Sequence, residues 1–258
     1  NYWRYCSAIK NNSIKFLIMW NGLKYKQSIM RLAASRYNTH IIFMENGLIP
    51  GMTTIDQTGI NYQNSVPRNP DFFLKYCKTF NTPIKGCNRN IFKTIFIPFQ
   101  VNTDSQIVKF SPWIKNMHTL VNVIEELSSH LPEEYKIIFK THPKCPEKYK
   151  ELIDNFKNHP KICFDNHSET KALIKNAEIV CTINSTVGIE ALMQYKKVIT
   201  LGLAFYNIDG LVYHAKDKTE LRKIFTSIEK ISINSSLISG FIYYLTCVYQ
   251  IPGNWEFP

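Results

Sequence analysis

Residues 177–201 read AEIVCTINSTVGIEALMQYKKVITL. The stretch opens on a short apolar, β-branched run (Ala177–Ile183) and breaks at the polar turn Asn184-Ser185-Thr186. It continues through VGIEALMQ with helical spacing and closes in a second apolar run, KVITL. Strand, turn, helix and strand in that order make the βαβ unit of a parallel sheet. The same alternation extends in both directions. Upstream, Tyr135–Lys140 (YKIIFK) and Ile162–Phe164 read as strands, and 148–157 and 168–176 as helices. Apolar residues at 113, 114, 117, 120, 121, 124 and 127 give 113–130 a helical period. Thr94–Val101, His40–Met44 and Ile14–Trp20 read as strands, and 23–35 and 71–80 as helices. Residues 48–69 are rich in Gly, Pro, Asn and Thr without a period and read as one long loop, and the first residues read as leading directly into a strand. Downstream, 218–229 and 234–249 read as closing helices.

This pattern predicts the α/β class, with sites at the carboxyl ends of parallel strands. A break at Ser111-Pro112 suggests an N-terminal half over 1–111 and a C-terminal half over 112–232. The remainder, 233–258, is expected to pack back on the first half, and the two halves to face a central cleft.

The chain has 258 residues, 45% of them hydrophobic and 20% charged, which excludes disordered and collagen-like classes. Its 31 Lys and Arg outnumber 20 Asp and Glu, giving +11 and a pI near 9.2. That surplus favours anionic partners without choosing among nucleic acid, phosphate-bearing substrates and membrane surfaces. The basic residues are spread along the chain, Lys85 and Arg89 among them, and no nucleic-acid recognition element accompanies them. Seven cysteines without a CxxC pair suggest neither a zinc site nor a disulfide framework, and Cys163 and Cys181 in apolar runs read as buried. Free thiols and the lack of a signal-peptide pattern or a long apolar run suggest a cytoplasmic protein.

Four strand ends are polar in a similar way: Glu45-Asn46-Gly47, Asn102-Thr103-Asp104-Ser105-Gln106, Thr141-His142-Pro143 and Asn184-Ser185-Thr186. The last opens a helix, where hydroxyls and unpaired N–H groups suit an anion, although an ordinary N-cap reads the same way. Lys140 and His142 flank Thr141 and could reach a phosphate from the same half. Glu45 and Asp104 are carboxylates at strand ends of the first half, facing the phosphate motifs of the second. Paired carboxylates serve glycosyl chemistry, although each could equally cap a loop. No G-x-G-x-x-G or P-loop occurs.

MENGLIP (44–50), TTIDQTGINYQNSVPR (53–68), IPFQVNTDSQI (97–107), KTHP (140–143), TINSTVGIEALMQYKKVITLG (182–202) and AFYNIDGL (204–211) occur in one order. Together they resemble the capsule polysaccharide biosynthesis family, the bacterial β-Kdo transferases of capsule and lipopolysaccharide assembly. The resemblance implies a GT-B-like fold of two Rossmann-like halves and a glycosyltransferase that takes Kdo from CMP-Kdo with retention, without metal or other cofactor. It implies that Lys140, His142, Asn184, Ser185, Thr186 and Glu190 hold the CMP of the donor, with Glu190 at the ribose. Asp104 is the implied nucleophile and Glu45 the base that takes the acceptor proton. Arg68, Asn102 and Gln106 are implied contacts to the Kdo carboxylate or hydroxyls. The expected acceptor is a glycan or lipid-linked saccharide, with the excess positive charge turned to the anionic inner-membrane surface rather than to nucleic acid. Members of the family often carry two transferase modules or longer N-terminal regions. The length of 258 residues therefore leaves two alternatives, one module of a multidomain polymerase or a chain lacking part of the first-half sheet. A different CMP-activated nonulosonate as donor, or a non-catalytic glycan-binding module, would use the same scaffold.

Overall fold

A computed structural model describes residues 1–77, 92–145 and 148–253. The chain forms two compact units. The first comprises Asn1–Pro67 with the stretch from Tyr244 onward, and the second Arg68–Tyr243. Lys85, Arg89, Cys87 and the end of the helix expected over 71–80 lie outside the described residues.

The first unit opens with α1 (Tyr2–Asn11), β1 (Phe16–Trp20), α2 (Tyr25–Arg36) and β2 (His40–Asn46). β1 and β2 pair in parallel from Phe16↔His40 to Trp20↔Met44. α1 replaces the expected direct entry into a strand. Its Cys6 and Ile9 pack on Ala33 and Ala34 of α2, a helical stripe that tyrosines partly hide from a hydropathy reading. The long loop also needs correction, because it contains β3 (Met52–Asp56), antiparallel to β2 with Met44↔Ile55. β10 (Gln250–Pro252) then pairs antiparallel with β3, giving the order β1-β2-β3-β10. The return expected of 233–258 is therefore made by the tail strand, while most of the closing helix stays in the second unit.

Asp56 organises the region after β3. Its carboxylate accepts from Thr58 N at 2.6 Å, Ser65 N at 2.8 Å, Ser65 Oγ at 2.7 Å and Tyr249 Oη at 2.7 Å. Burial alone would raise its pKa, but these donors outweigh burial and hold it below the usual carboxylate range. Gly22, at φ +78°, turns the chain after β1, and a Cβ there would lie 2.5 Å from the Phe43 ring.

The second unit contains α3 (Pro70–Leu74), β4 (Lys93–Pro98), α4 (Ser105–Phe110), α5 (Met117–Leu127), β5 (Tyr135–Lys140), α6 (Lys150–Asn155) and β6 (Ile162–Phe164). It continues with α7 (Thr170–Asn176), β7 (Ile179–Thr182), α8 (Val187–Met193), β8 (Lys197–Thr200), β9 (Tyr213–His214), α9 (Lys218–Thr226) and α10 (Ser235–Tyr244). All six strands are parallel, in the order β6-β5-β4-β7-β8-β9. With β4 counted as first, this is the 3-2-1-4-5-6 order of a Rossmann sheet. Both faces are covered, so Ile95, Phe96, Ile97, Ile179, Val180 and Cys181 are fully buried, and burial pushes the Cys181 thiol pKa up. Cys163 is exposed instead, because β6 is an edge strand.

The pairing of β4 with both β5 and β7 moves the expected division at 111/112 to 67/68. Local pattern marks β4 as a strand but carries no information about which sheet it joins. No helix among the described residues is long and apolar enough to cross a membrane.

Candidate functional site

In a sheet of this order the chain leaves β4 and β7 in opposite directions, which opens a crevice outside their carboxyl ends. Two side chains join the strand ends there. Gln100, just past β4, donates from Nε2 to Asn184 Oδ1 at 2.9 Å. Its Oε1 accepts from Asn184 N at 3.2 Å and from Thr182 Oγ1 at 3.4 Å. Asn184 Nδ2 donates onward to Gln106 O at 2.9 Å and Phe110 O at 3.1 Å, fastening α4 to the β7 turn. Both residues are buried.

Asp104 is the N-cap of α4. Its Oδ1 accepts from Gln106 N at 2.8 Å and Ser105 Oγ at 3.4 Å. The carboxylate is exposed, and Oδ2 has no hydrogen bond to a described residue. One oxygen thus fixes the group while the other is not engaged by the described residues, so the capping role leaves one carboxylate oxygen accessible.

His142 follows β5, the strand beside β4. Burial lowers its pKa, Lys144 lowers it further, and Asp104 is close enough to draw it partly back up. Its Nδ1 accepts from Lys144 N at 3.1 Å, which leaves the proton of the neutral ring on Nε2. In the neutral ring Nε2 is therefore the donor.

Ser185 and Thr186 lead into α8. Ser185 Oγ accepts from Val187 N at 3.2 Å, and Ser185 O accepts from the fully buried Tyr206 hydroxyl. Burial pushes the Tyr206 pKa up, so the group stays a donor. A Cβ at Gly188 would lie 2.5 Å from the Tyr206 hydroxyl, which explains the glycine and the close approach of this turn. Glu190, one turn into α8, is half-buried, and burial raises its pKa against the opposing pull of Lys171.

The structure therefore gathers Asp104, His142, Ser185 and Thr186 in the turns that follow three adjacent strands, β5, β4 and β7, with Gln106 in the first turn of α4. Three other expected residues are engaged within the fold. Lys140 Nζ donates to Asn166 O at 3.1 Å and Ser168 O at 2.7 Å. Asn102 donates to Tyr149 Oη at 3.1 Å and accepts from Met117 N at 3.0 Å. Asn184 is spent on the β4–β7 bridge. Arg68 stacks its guanidinium over Phe205, 5.6 Å from the ring centroid. Gln106 contributes a buried Oε1 without a donor among the described residues.

Glu45 lies elsewhere, at the end of β2 in the first unit. Asn21 Nδ2 donates to its Oε2 at 2.5 Å, and Asn46 N to its Oε1 at 3.0 Å. The expectation that Glu45 and Asp104 share one half, opposite the phosphate motifs, is therefore corrected. Asp104 stands with those motifs on the second sheet, because β4 belongs there. The sequence reading missed Gln100 and Tyr206. A polar residue directly after an apolar strand was the available signal for Gln100.

Residues 84–255 match the family described as capsule polysaccharide biosynthesis protein. Protein FixF of Sinorhizobium fredii (strain NBRC 101917 / NGR234) is 34% identical over 255 residues, covering 94% of this chain and 61% of the relative. Capsule polysaccharide export protein KpsS of Escherichia coli is 32% identical over 254 residues, covering 71% of this chain and 65% of the relative. The chain thus spans under two thirds of the length of either protein. Among solved structures, the β-Kdo 2,7 transferase of Thermosulfurimonas dismutans KpsC superposes with a TM-score of 0.59 at 22% identity. That match covers 97% of this chain and 82% of the KpsC chain. The β-Kdo 2,4 transferase of the same protein gives 0.54 at 16% identity, over 90% of this chain and 79% of that one. These likenesses establish a GT-B-like fold of Rossmann-like α/β units.

Replacing Gln100 with Leu leaves Asn184 Oδ1 and N without their partners in a buried setting. Urea unfolding of Gln100→Leu is expected to lose about 1–3 kcal/mol. A loss within error of zero would show that the amide bridge does not form.

Proposed function

The chain belongs to the capsule polysaccharide biosynthesis family, and from that we propose that it is a glycosyltransferase moving Kdo from CMP-Kdo to a glycan or lipid-linked saccharide, with retention. The observation that carries this reading is the grouping of an open carboxylate (Asp104), a neutral imidazole donor (His142) and a hydroxyl-bearing turn (Ser185, Thr186) at one Rossmann switch point. Such a crevice suits a nucleotide whose phosphate meets hydroxyl and N–H donors.

In the proposed reaction Asp104 Oδ2 attacks the anomeric carbon of Kdo, and the bond from that carbon to the CMP phosphate oxygen breaks. The electron pair leaves with CMP, and His142 Nε2–H donates a hydrogen bond to the departing phosphate. The acceptor hydroxyl then attacks the same carbon, its proton passes to solvent water, and the Asp104 carboxylate is released. Glu45, on the first unit, is not given the base's role in this scheme. Two displacements at one carbon return the original configuration. Glu190 binds the ribose hydroxyls in this scheme, and Arg68 and Gln106 bind the sugar acid. Lys140, Asn102 and Asn184 support the donor site through the backbone groups they hold. No metal takes part in it.

Asp104→Asn is expected to lower CMP release from CMP-Kdo by about a thousandfold or more while CMP still binds. Wild-type protein should release CMP from CMP-Kdo and not from CMP-sialic acid. Full turnover by Asp104→Asn would remove it from the nucleophile's role, and preference for CMP-sialic acid would change the donor.

His142 supplies a pH test. Its pKa is depressed in the free protein, and an anionic phosphate at Nε2 favours the protonated ring, so binding takes up a proton. CMP affinity should rise as pH falls from about 8 to about 6, by at most about tenfold per unit. His142→Gln should flatten that profile in titration calorimetry. An unchanged slope would take His142 away from the phosphate.

A further inference from the structure

The loop that follows β6 holds the turn that follows β5. These strands pair in parallel as far as Phe139↔Phe164, and Asp165 N continues the ladder to Phe139 O at 2.9 Å. Asp165 then folds its own loop, its Oδ1 accepting from His167 N at 3.0 Å and Ser168 N at 2.8 Å. Within that loop Asn166 meets Thr141, the residue directly before His142. Asn166 Oδ1 accepts from Thr141 N at 2.8 Å and from Thr141 Oγ1 at 2.9 Å. Lys140 Nζ in turn donates to the carbonyls of Asn166 and Ser168. Lys140 and Thr141 are both tied to this one loop, and every atom involved lies in the second unit.

Asn166 is exposed, so water could satisfy Thr141 almost as well as the amide does, and the bonds add little to stability. What water does not supply is direction. Two donors of one residue meeting a single oxygen fix the Thr141 backbone and its χ1 rotamer together. The next residue is His142, whose Nδ1 accepts from Lys144 N on the far side of Pro143. The chain is therefore held just before and just after the imidazole, and Nε2 is left as the donor.

We propose that Asn166 is a positioning residue for the donor phosphate, orienting Thr141 so that His142 is already placed when the nucleotide arrives. It touches no reacting atom and acts through Thr141. Holding the turn beforehand removes an ordering cost that binding would otherwise carry. Lys140 serves the same clamp instead of meeting the anion itself. The proposal rests on the reading of His142 as a phosphate contact.

Calorimetric titration of the 258-residue chain with CMP, between about pH 8 and about pH 6, tests it. Asn166→Leu removes the acceptor. Thr141→Val removes the Oγ1 donor at constant shape, and Thr141→Ser keeps it. Asn166→Leu and Thr141→Val are each expected to weaken CMP binding about fivefold near the acid end and to flatten its pH dependence. Thr141→Ser should keep both the affinity and the slope. Lys144 and Asp104, the charges that act on His142, stay in place in all three variants, so a changed slope reports the position of the ring. A role in folding alone would move the melting temperature and leave the slope as it was. A wild-type slope that survives in Asn166→Leu would overturn the proposal, as would Thr141→Ser behaving like Thr141→Val. If Asn166→Leu fails to fold, the two Thr141 variants decide. A wild-type profile without a slope, or a slope that His142→Gln preserves, would remove His142 from the phosphate and this proposal with it, so the two failures are told apart.

Discussion

Two primary amides in a buried setting must satisfy each other, and the arrangement of the second unit follows from how they do so. Gln100 and Asn184 stand at the ends of β4 and β7, where the sheet order opens a crevice. A buried amide without partners costs more than a paired one returns, so the two loops cannot separate cheaply. Asn184 then fixes α4 through Gln106 O and Phe110 O, and α4 carries Asp104 at its cap. The position of the carboxylate relative to Ser185 is set by this chain of bonds. Tyr206 completes the clamp from the other side by holding Ser185 O.

Much of the second sheet was legible because its signals are local. β5 and β6 match the expected bounds, and the βαβ stretch over 177–201 forms β7, α8 and β8. A buried parallel strand reads as a continuous apolar run, so such segments are hard to miss. The partner of a strand is a different matter. β4 looks the same in either half, and only its pairing with β5 and β7 assigns it. That one misassignment put Asp104 beside Glu45 and shifted the domain boundary. β3 escaped notice because MTTID is short and more polar than the other runs, and its partner β10 lies far along the chain.

The candidate site divides along the same line. Residues named from polar strand ends, Asp104, His142, Ser185 and Thr186, do gather at the switch point. Asn102, Lys140 and Asn184 share those strand ends but direct their polar atoms into the protein. A sequence gives the type of a side chain and its place on a strand, but not which partner takes its hydrogen bonds. The net charge of +11 is likewise too coarse as a single number. Lys140, for one, spends its charge on the Asn166 and Ser168 carbonyls of its own fold.

The central claim is that nucleotide binding belongs to the second unit, at the carboxyl ends of β5, β4 and β7. A crystal structure of the protein with CMP tests it most directly. The account predicts the phosphate within hydrogen-bonding distance of His142 Nε2 and of the Ser185–Thr186 turn, with the ribose toward Glu190. CMP bound on the first unit, or in the second away from His142 and Ser185, would contradict it.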